Sequence, residues 1–202
     1  MGRKMSQISG VVVLSVVTLA VATDASAAQV TSPYLGGDKG QLLLRLGNVG
    51  RNVQSELVAP LAIHVTCNGS PENPHYSRGA GSVIFKTRIT CHGEGVQVVQ
   101  VRARGTLGSV FGEPPRGGSA PGGPAQGPLV TEATSDQTQN VAVNGPATTY
   151  YTPLEGPGSP KVRGSKWFQG DVTAEIVAPP PGVVTDGPSS ASSNRVWVND
   201  PR

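Results

Sequence analysis

The stretch that decides the fold runs from residue 61 to residue 107, LAIHVTCNGSPENPHYSRGAGSVIFKTRITCHGEGVQVVQVRARGTL. Apolar and polar residues alternate in its first two segments, at 61–67 and 83–91, so each predicts a β-strand with one buried face. Turn residues follow both segments. The third segment, 96–107, is rich in valine and changes its apolar phase. That change indicates a β-bulge, or a strand buried on both faces at one end.

Both cysteines of the chain, Cys67 and Cys91, fall on the apolar faces of the first two predicted strands. We expect a disulfide between them, because Cys-x-x-Cys spacing and a second cysteine pair, which would favour a redox or metal site, are missing from the sequence. They lie 24 positions apart (91 − 67). That spacing is short for the cross-sheet bridge of an immunoglobulin-like domain. A bridge between neighbouring strands or at a sheet corner fits it as well.

Further strands are predicted on both sides of this stretch, at 41–46, 52–59, 137–143, 147–152, 166–178 and 195–198. Glycine and proline together make up 45 residues (27 + 18) of 202, which disfavours long helices. The sequence therefore predicts an all-β protein, an antiparallel β-sandwich with one disulfide. Immunoglobulin-like topology is one version of that architecture.

The first 28 residues have the three parts of a secretory signal peptide. A basic leader, Gly2-Arg3-Lys4-Met5, precedes an apolar run at 8–22 and the small residues Ala25-Ser26-Ala27-Ala28. We expect cleavage after Ala27 or Ala28, and a secreted, extracellular or cell-wall-associated product. No later segment is apolar and long enough to predict a membrane span. Residues 29–202 are then expected to form a single β-sandwich domain.

Residues 112–128 form a low-complexity segment rich in glycine and proline, with few side chains to bury. We interpret it as a mobile surface loop within one domain. A linker between two domains is the alternative, but each flanking piece would be small for an independent β core.

Charge and motifs exclude several functions. The formal net charge is +3, and about +2 (14 − 12) without the leader, too mild to indicate a nucleic-acid or anionic-membrane partner. A Gly-x-Ser-x-Gly nucleophile motif does not occur. The histidines His64, His75 and His92 are expected at the surface rather than around a metal. We predict no catalytic residue, no cofactor and no metal; the oligomeric state is left open.

Aromatic residues are the best candidates for recognition of a ligand: Trp167, Trp197, Tyr150 and Tyr151. Tyr150 and Tyr151 are adjacent in one predicted strand, so one of them is expected in the core. Each tryptophan is out of phase with apolar neighbours, and is therefore expected on an outer sheet face, where it would stack on a sugar or anchor a partner. Aromatic cover over a small core is the alternative.

Several motifs resemble those of small exported actinobacterial β-rich proteins of uncharacterised function. They are V-T-C-N-G (65–69), T-R-I-T-C-H-G (87–93), the valine-rich 96–107, T-Q-N-V-A-V-N-G (138–145) and T-T-Y-Y-T-P (148–153). The resemblance covers roughly residues 61–178; the glycine- and proline-rich insert and the absence of a second cysteine pair depart from it. It implies the fold and compartment, and no activity.

The expected function is that of a secreted, non-catalytic binding or cell-envelope-associated module, whose partner is an envelope glycan or protein. A secreted hydrolase with dispersed acidic residues is one alternative. A secreted enzyme inhibitor that presents the 112–128 loop is another, although an inhibitory loop is normally rigid.

Overall fold

Eleven β-strands and no helix occur in the part of the chain that the structure, a computed structural model, describes: residues 40–48, 62–114 and 127–201. All described residues belong to one compact unit, Gly36–Arg202. The predicted signal peptide (1–28), the predicted strand at 52–59 and the centre of the predicted loop (115–126) lie outside the described residues.

The strands follow the alternation seen in the sequence. They are β1 (Leu42–Asn48), β2 (His64–Pro71), β3 (His75–Ser77), β4 (Ser82–Glu94), β5 (Val98–Val110), β6 (Val130–Ala142), β7 (Thr148–Thr152), β8 (Lys166–Val177), β9 (Val183–Thr185), β10 (Ser189–Ser192) and β11 (Val196–Val198). β6 begins at Val130, earlier than the predicted start at Gln137. Of the two interpretations of the third segment, burial of both faces at one end is confirmed, since residues 107–109 of β5 are consecutively buried. The register between β5 and β6 shifts there, at Leu107/Gly108, and the extra residue of this bulge lies on β6.

Two antiparallel sheets pack face to face, which confirms the predicted all-β sandwich. The first sheet has the order β3-β4-β2-β1-β9, and β7 also pairs with β4. The second sheet has the order β10-β8-β5-β6, and β11 also pairs with β8. The core between them is built from the inward side chains of both sheets, with Phe85, Ile89 and Leu107 among its largest members and Phe168 on β8.

The disulfide Cys67–Cys91 is present, as predicted. The two residues lie directly opposite each other on β2 and β4, with their Cα atoms 4.0 Å apart, and both are fully buried. The bridge therefore joins neighbouring strands of one sheet. It is not the cross-sheet bridge of an immunoglobulin-like domain.

Polar side chains close both edges of the sandwich. On one side, β7 pairs only with β4 among the described strands, and its outer carbonyls accept hydrogen bonds from β6. Gln137 Nε2 donates to Tyr151 O at 2.8 Å, and Gln139 Nε2 donates to Thr149 O at 3.2 Å. On the other side, Leu43 N donates to Ser189 Oγ at 3.1 Å. These bonds satisfy edge groups that could otherwise pair with another chain.

Candidate functional site

Tyr150 lies in the core, on the inward face of β7, and only 3% of it is exposed. Its hydroxyl donates to the carbonyl of Val101, on the opposite sheet, at 3.0 Å. Burial raises the pKa of the phenol above its usual value. Tyr150 therefore ties the two sheets together and offers no ring face to a ligand.

Tyr151 points to the opposite side, on the outer face of the first sheet, and is partly exposed. The Lys86 Nζ lies 5.4 Å from the centroid of its ring, within the range of a cation–π contact. Tyr151 is therefore a partly exposed surface aromatic in a cation–π contact with Lys86.

The two tryptophans, in contrast, form a contact. Trp197 on β11 lies directly opposite Trp167 on β8, so both indoles project from the outer face of the second sheet. Their ring centroids are 5.9 Å apart and the planes meet at 73°, an edge-to-face arrangement. We call these two residues the tryptophan pair.

The indole N–H groups of the tryptophan pair are both hydrogen-bonded, which fixes the rings. Trp167 Nε1 donates to Glu113 O at 2.9 Å, and Trp197 Nε1 donates to Asn199 Oδ1 at 2.8 Å. Trp167 is only 8% exposed, although its phase directs it away from the core. Trp197 remains partly exposed. Trp167 thus supports Trp197, and Trp197 is the member that a partner can reach.

A chain of polar side chains lies beside the pair on the same outer face. Arg195 Nε donates to Gln169 Oε1 at 3.4 Å, and Gln169 Nε2 donates to Asp171 Oδ1 at 3.2 Å. Ser192 Oγ donates to the same carboxylate oxygen at 2.6 Å. Farther along β8, Thr173 and Ser190 share a hydrogen bond of 2.8 Å between their hydroxyls. We call these six residues the polar strip.

An ion-pair network continues this face across β6, β5 and β8. Arg104 binds Glu175 through Nη2 and Oε1 at 2.9 Å, and its Nε lies 3.7 Å from Asp136 Oδ2. Arg102 binds Asp136 through two hydrogen bonds. The Arg102 hydrogen bonds, helped by the charges of both arginines, hold the pKa of Asp136 below its usual value. The carboxylates of Asp136 and Glu175 are thus neutralised by the two arginines, on an open sheet face.

One pocket of about 290 Å³ lies at the end of the sandwich between the β3–β4 turn and residues 153–161. Glu155 is the one carboxylate among the described residues that line it. The Ser82 hydroxyl in its wall accepts a hydrogen bond from Val162 N at 2.9 Å, a structural role. The pocket therefore does not bring two carboxylates together.

The three histidines are not gathered into a metal site. His64 pairs in register with Glu94, and His92 pairs with Thr66, on the outer face of the first sheet. His75 Nδ1 lies 3.2 Å from Asn73 O. Nowhere in the described residues do three or more His, Cys, Asp or Glu side chains converge so as to hold a metal ion.

The sequence pattern identifies both tryptophans, but it does not predict that they touch. Alternation in the predicted strand 166–178 puts Gln169, Asp171 and Thr173 on its polar side, which is the outward side of β8, and assigns them no further role. The sequence pattern assigns no binding role to Arg195, Ser190 or Ser192. Only the pairing of β10 and β11 with β8 brings them to this face, and the sequence does not reveal that pairing.

Comparison of the chain with family models, with curated proteins and with solved structures gave no match. The resemblance to exported actinobacterial proteins stays a prediction. No helix with the length and hydropathy of a membrane span occurs in the ranges of the chain that the structure describes.

Proposed function

We propose that the protein is exported and acts as a non-catalytic binding module that attaches to a glycan or protein of the cell envelope. The binding surface is the outer face of the second sheet, at the tryptophan pair and the polar strip. The observation that carries the proposal is the partly exposed Trp197, held in place by Trp167 at a centroid distance of 5.9 Å. Aromatic rings fixed at a surface beside polar groups are typical anchors of binding interfaces.

Export is supported by two further features. The first 28 residues have the leader, apolar run and small-residue site of a signal peptide. The disulfide Cys67–Cys91 is typical of proteins that reach an oxidising compartment. Expression of the full chain in a secreting host, followed by mass spectrometry of the culture medium, tests this part. We expect a product that begins at Ala28 or Gln29; an uncleaved product confined to the cells would contradict export.

A sedimentation assay with purified cell envelope tests the binding part. We expect the wild-type protein to sediment with the envelope and Trp197→Ala to remain in the supernatant. Tyr151→Ala is the matched control, because it removes a partly exposed aromatic ring from the other sheet. Equal retention of Trp197→Ala and wild type would contradict the proposed surface. Circular dichroism of each variant separates a binding defect from misfolding.

The hydrolase and inhibitor alternatives have no specific observation in their favour. Asp136 and Glu175 approach each other only through Arg104, on an open face. The centre of the loop that an inhibitor would present, 115–126, lies outside the described residues.

A further inference from the structure

We propose that the ligand of this surface is an uncharged polysaccharide that lies along β8, from the tryptophan pair towards Glu175. This inference rests on the proposed function and narrows its ligand to one chemical class. Three properties of the outer face of the second sheet favour such a ligand: its shape, its polar groups and its charge balance.

The shape suits a chain-like ligand. The outward residues of β8 run from Trp167 to Glu175, which at about 3.3 Å per residue is a strip roughly 26 Å long. In-register neighbours widen it, Ser192 and Thr106 beside Asp171, and Ser190 and Arg104 beside Thr173. An open strip of this length fits several consecutive units of a polymer, whereas a small molecule is normally held in a concave pocket.

The polar strip offers hydrogen bonds of the kind that hydroxyl groups use. Both hydrogen bonds to the Asp171 carboxylate end on Oδ1, so Oδ2 keeps its capacity to accept from a ligand. Thr173 and Ser190 share one hydrogen bond between two hydroxyls, each of which has further acceptor capacity. The side chains already hold one another in place, which lowers the entropy cost of binding. The partly exposed Trp197 supplies an apolar ring for the C–H face of a sugar.

The charge balance favours an uncharged ligand. Three arginines and three carboxylates occupy this face, namely Arg102, Arg104 and Arg195 with Asp136, Asp171 and Glu175. Arg102 and Arg104 are bound to Asp136 and Glu175, and Arg195 is bound to Gln169. Because the formal charges of these six residues sum to zero, they present little net field to attract a polyanion or polycation. The hydroxyl groups of a neutral polysaccharide need no such field.

Isothermal titration calorimetry of the wild-type protein with soluble polymers tests the inference. The neutral probes are laminarin, galactomannan, dextran and hydroxyethylcellulose; the acidic probes are alginate and polyglutamate. We expect at least one neutral probe to bind and the acidic probes not to bind. Trp197→Ala should weaken that binding about tenfold or more, and Asp171→Asn about threefold. Tyr151→Ala should leave it unchanged.

The outcomes separate this inference from the proposed function. Envelope retention that depends on Trp197, together with no binding to any neutral probe, would overturn the polysaccharide assignment and favour a protein partner for the same surface. Binding to the acidic probes alone would also overturn it. If the wild-type protein neither sediments with the envelope nor binds any of the polymers, the proposed function itself is contradicted.

Discussion

The ring of Phe85, on the first sheet, lies against the backbone of Gly170, on the second. A Cβ atom built on Gly170 would lie 2.6 Å from the Cγ of Phe85, closer than real Cβ contacts allow. Gly170 sits between Gln169 and Asp171, which project to the other face and belong to the polar strip. The packing of the core thus sets the position of β8, and with it the position of the candidate binding surface.

Gly170→Ala should destabilise the protein by about 1–3 kcal/mol, because Phe85 and its neighbours in a close-packed core must shift to admit one methyl group. Gly79→Ala is the control, since a Cβ at Gly79 would meet nothing within 4 Å. Urea unfolding of both variants measures the free energies. Equal stability of the two variants would contradict the close contact.

Loss of the disulfide should lower the free energy of unfolding by about 3 kcal/mol, the loop-entropy value for a bridge that spans 24 residues. Thermal unfolding with and without reductant measures the change. The double variant Cys67→Ala/Cys91→Ala, which cannot form the bridge, should show no response to reductant. Two free thiols in the purified oxidised wild type, detected by mass spectrometry after alkylation, would contradict the assigned bridge.

Gln137→Glu should destabilise the protein by about 1–2 kcal/mol at neutral pH. The substitution replaces the amide that donates to Tyr151 O by a carboxylate, which only accepts. The loss should shrink in acid, where the new carboxyl becomes protonated and can donate again. Gln100→Glu is the control on an exposed position. A loss that is independent of pH would argue against the edge-closing hydrogen bond.

The carboxylate of Glu132 should stabilise the protein to an extent that depends on pH. This residue is the extra residue of the β6 bulge, and its Oε1 accepts hydrogen bonds from Lys166 Nζ at 2.7 Å and from Ser109 Oγ. Burial alone would raise the pKa of Glu132, but the two hydrogen bonds and the charge of Lys166 outweigh it and lower that pKa. A carboxylate whose folded pKa is depressed stabilises the protein above its unfolded pKa, about 4.3, and loses that contribution as the pH falls through the folded value.

Glu132→Gln should therefore cost about 1–2 kcal/mol at pH 7, and the difference from wild type should narrow below about pH 4. Urea unfolding of the variant and the wild type, from pH 7 to below about pH 4, measures this difference in the free energy of unfolding. Glu94→Gln, at an exposed position, is the control at pH 7. A difference that grows in acid would have the wrong sign for a depressed carboxyl pKa.

The sequence was sufficient for the strands whose faces differ clearly in polarity. β4 and β8 alternate throughout most of their length, and Cys67 and Cys91 share the apolar phase, so both the strands and the disulfide were predicted. β6 was recognised only from Gln137, because its first half, 130–136, carries mostly small and polar residues. These residues form a strand by pairing with β5, and the local pattern does not show that pairing.

The candidate site was only half predictable. The phase of Trp167 correctly gave an outer face, but its burial comes from Trp197 and from the segment around Glu113, both distant in sequence. In the same way, Gln137 and Gln139 look like ordinary surface residues, and only the position of β7 gives them their hydrogen-bond partners. The burial of Trp167 and the hydrogen bonds of Gln137 and Gln139 depend on contacts between segments that are distant in sequence, and a local sequence pattern does not reveal those contacts.

Intrinsic fluorescence reports on the proposed binding surface itself, because the chain has two tryptophans and both belong to the tryptophan pair. Titration of the protein with solubilised envelope material should shift or quench the emission in a saturable way, over the same concentrations at which the protein is retained by the envelope. Retention with an unchanged emission spectrum would show that the partner binds elsewhere, and would contradict the account.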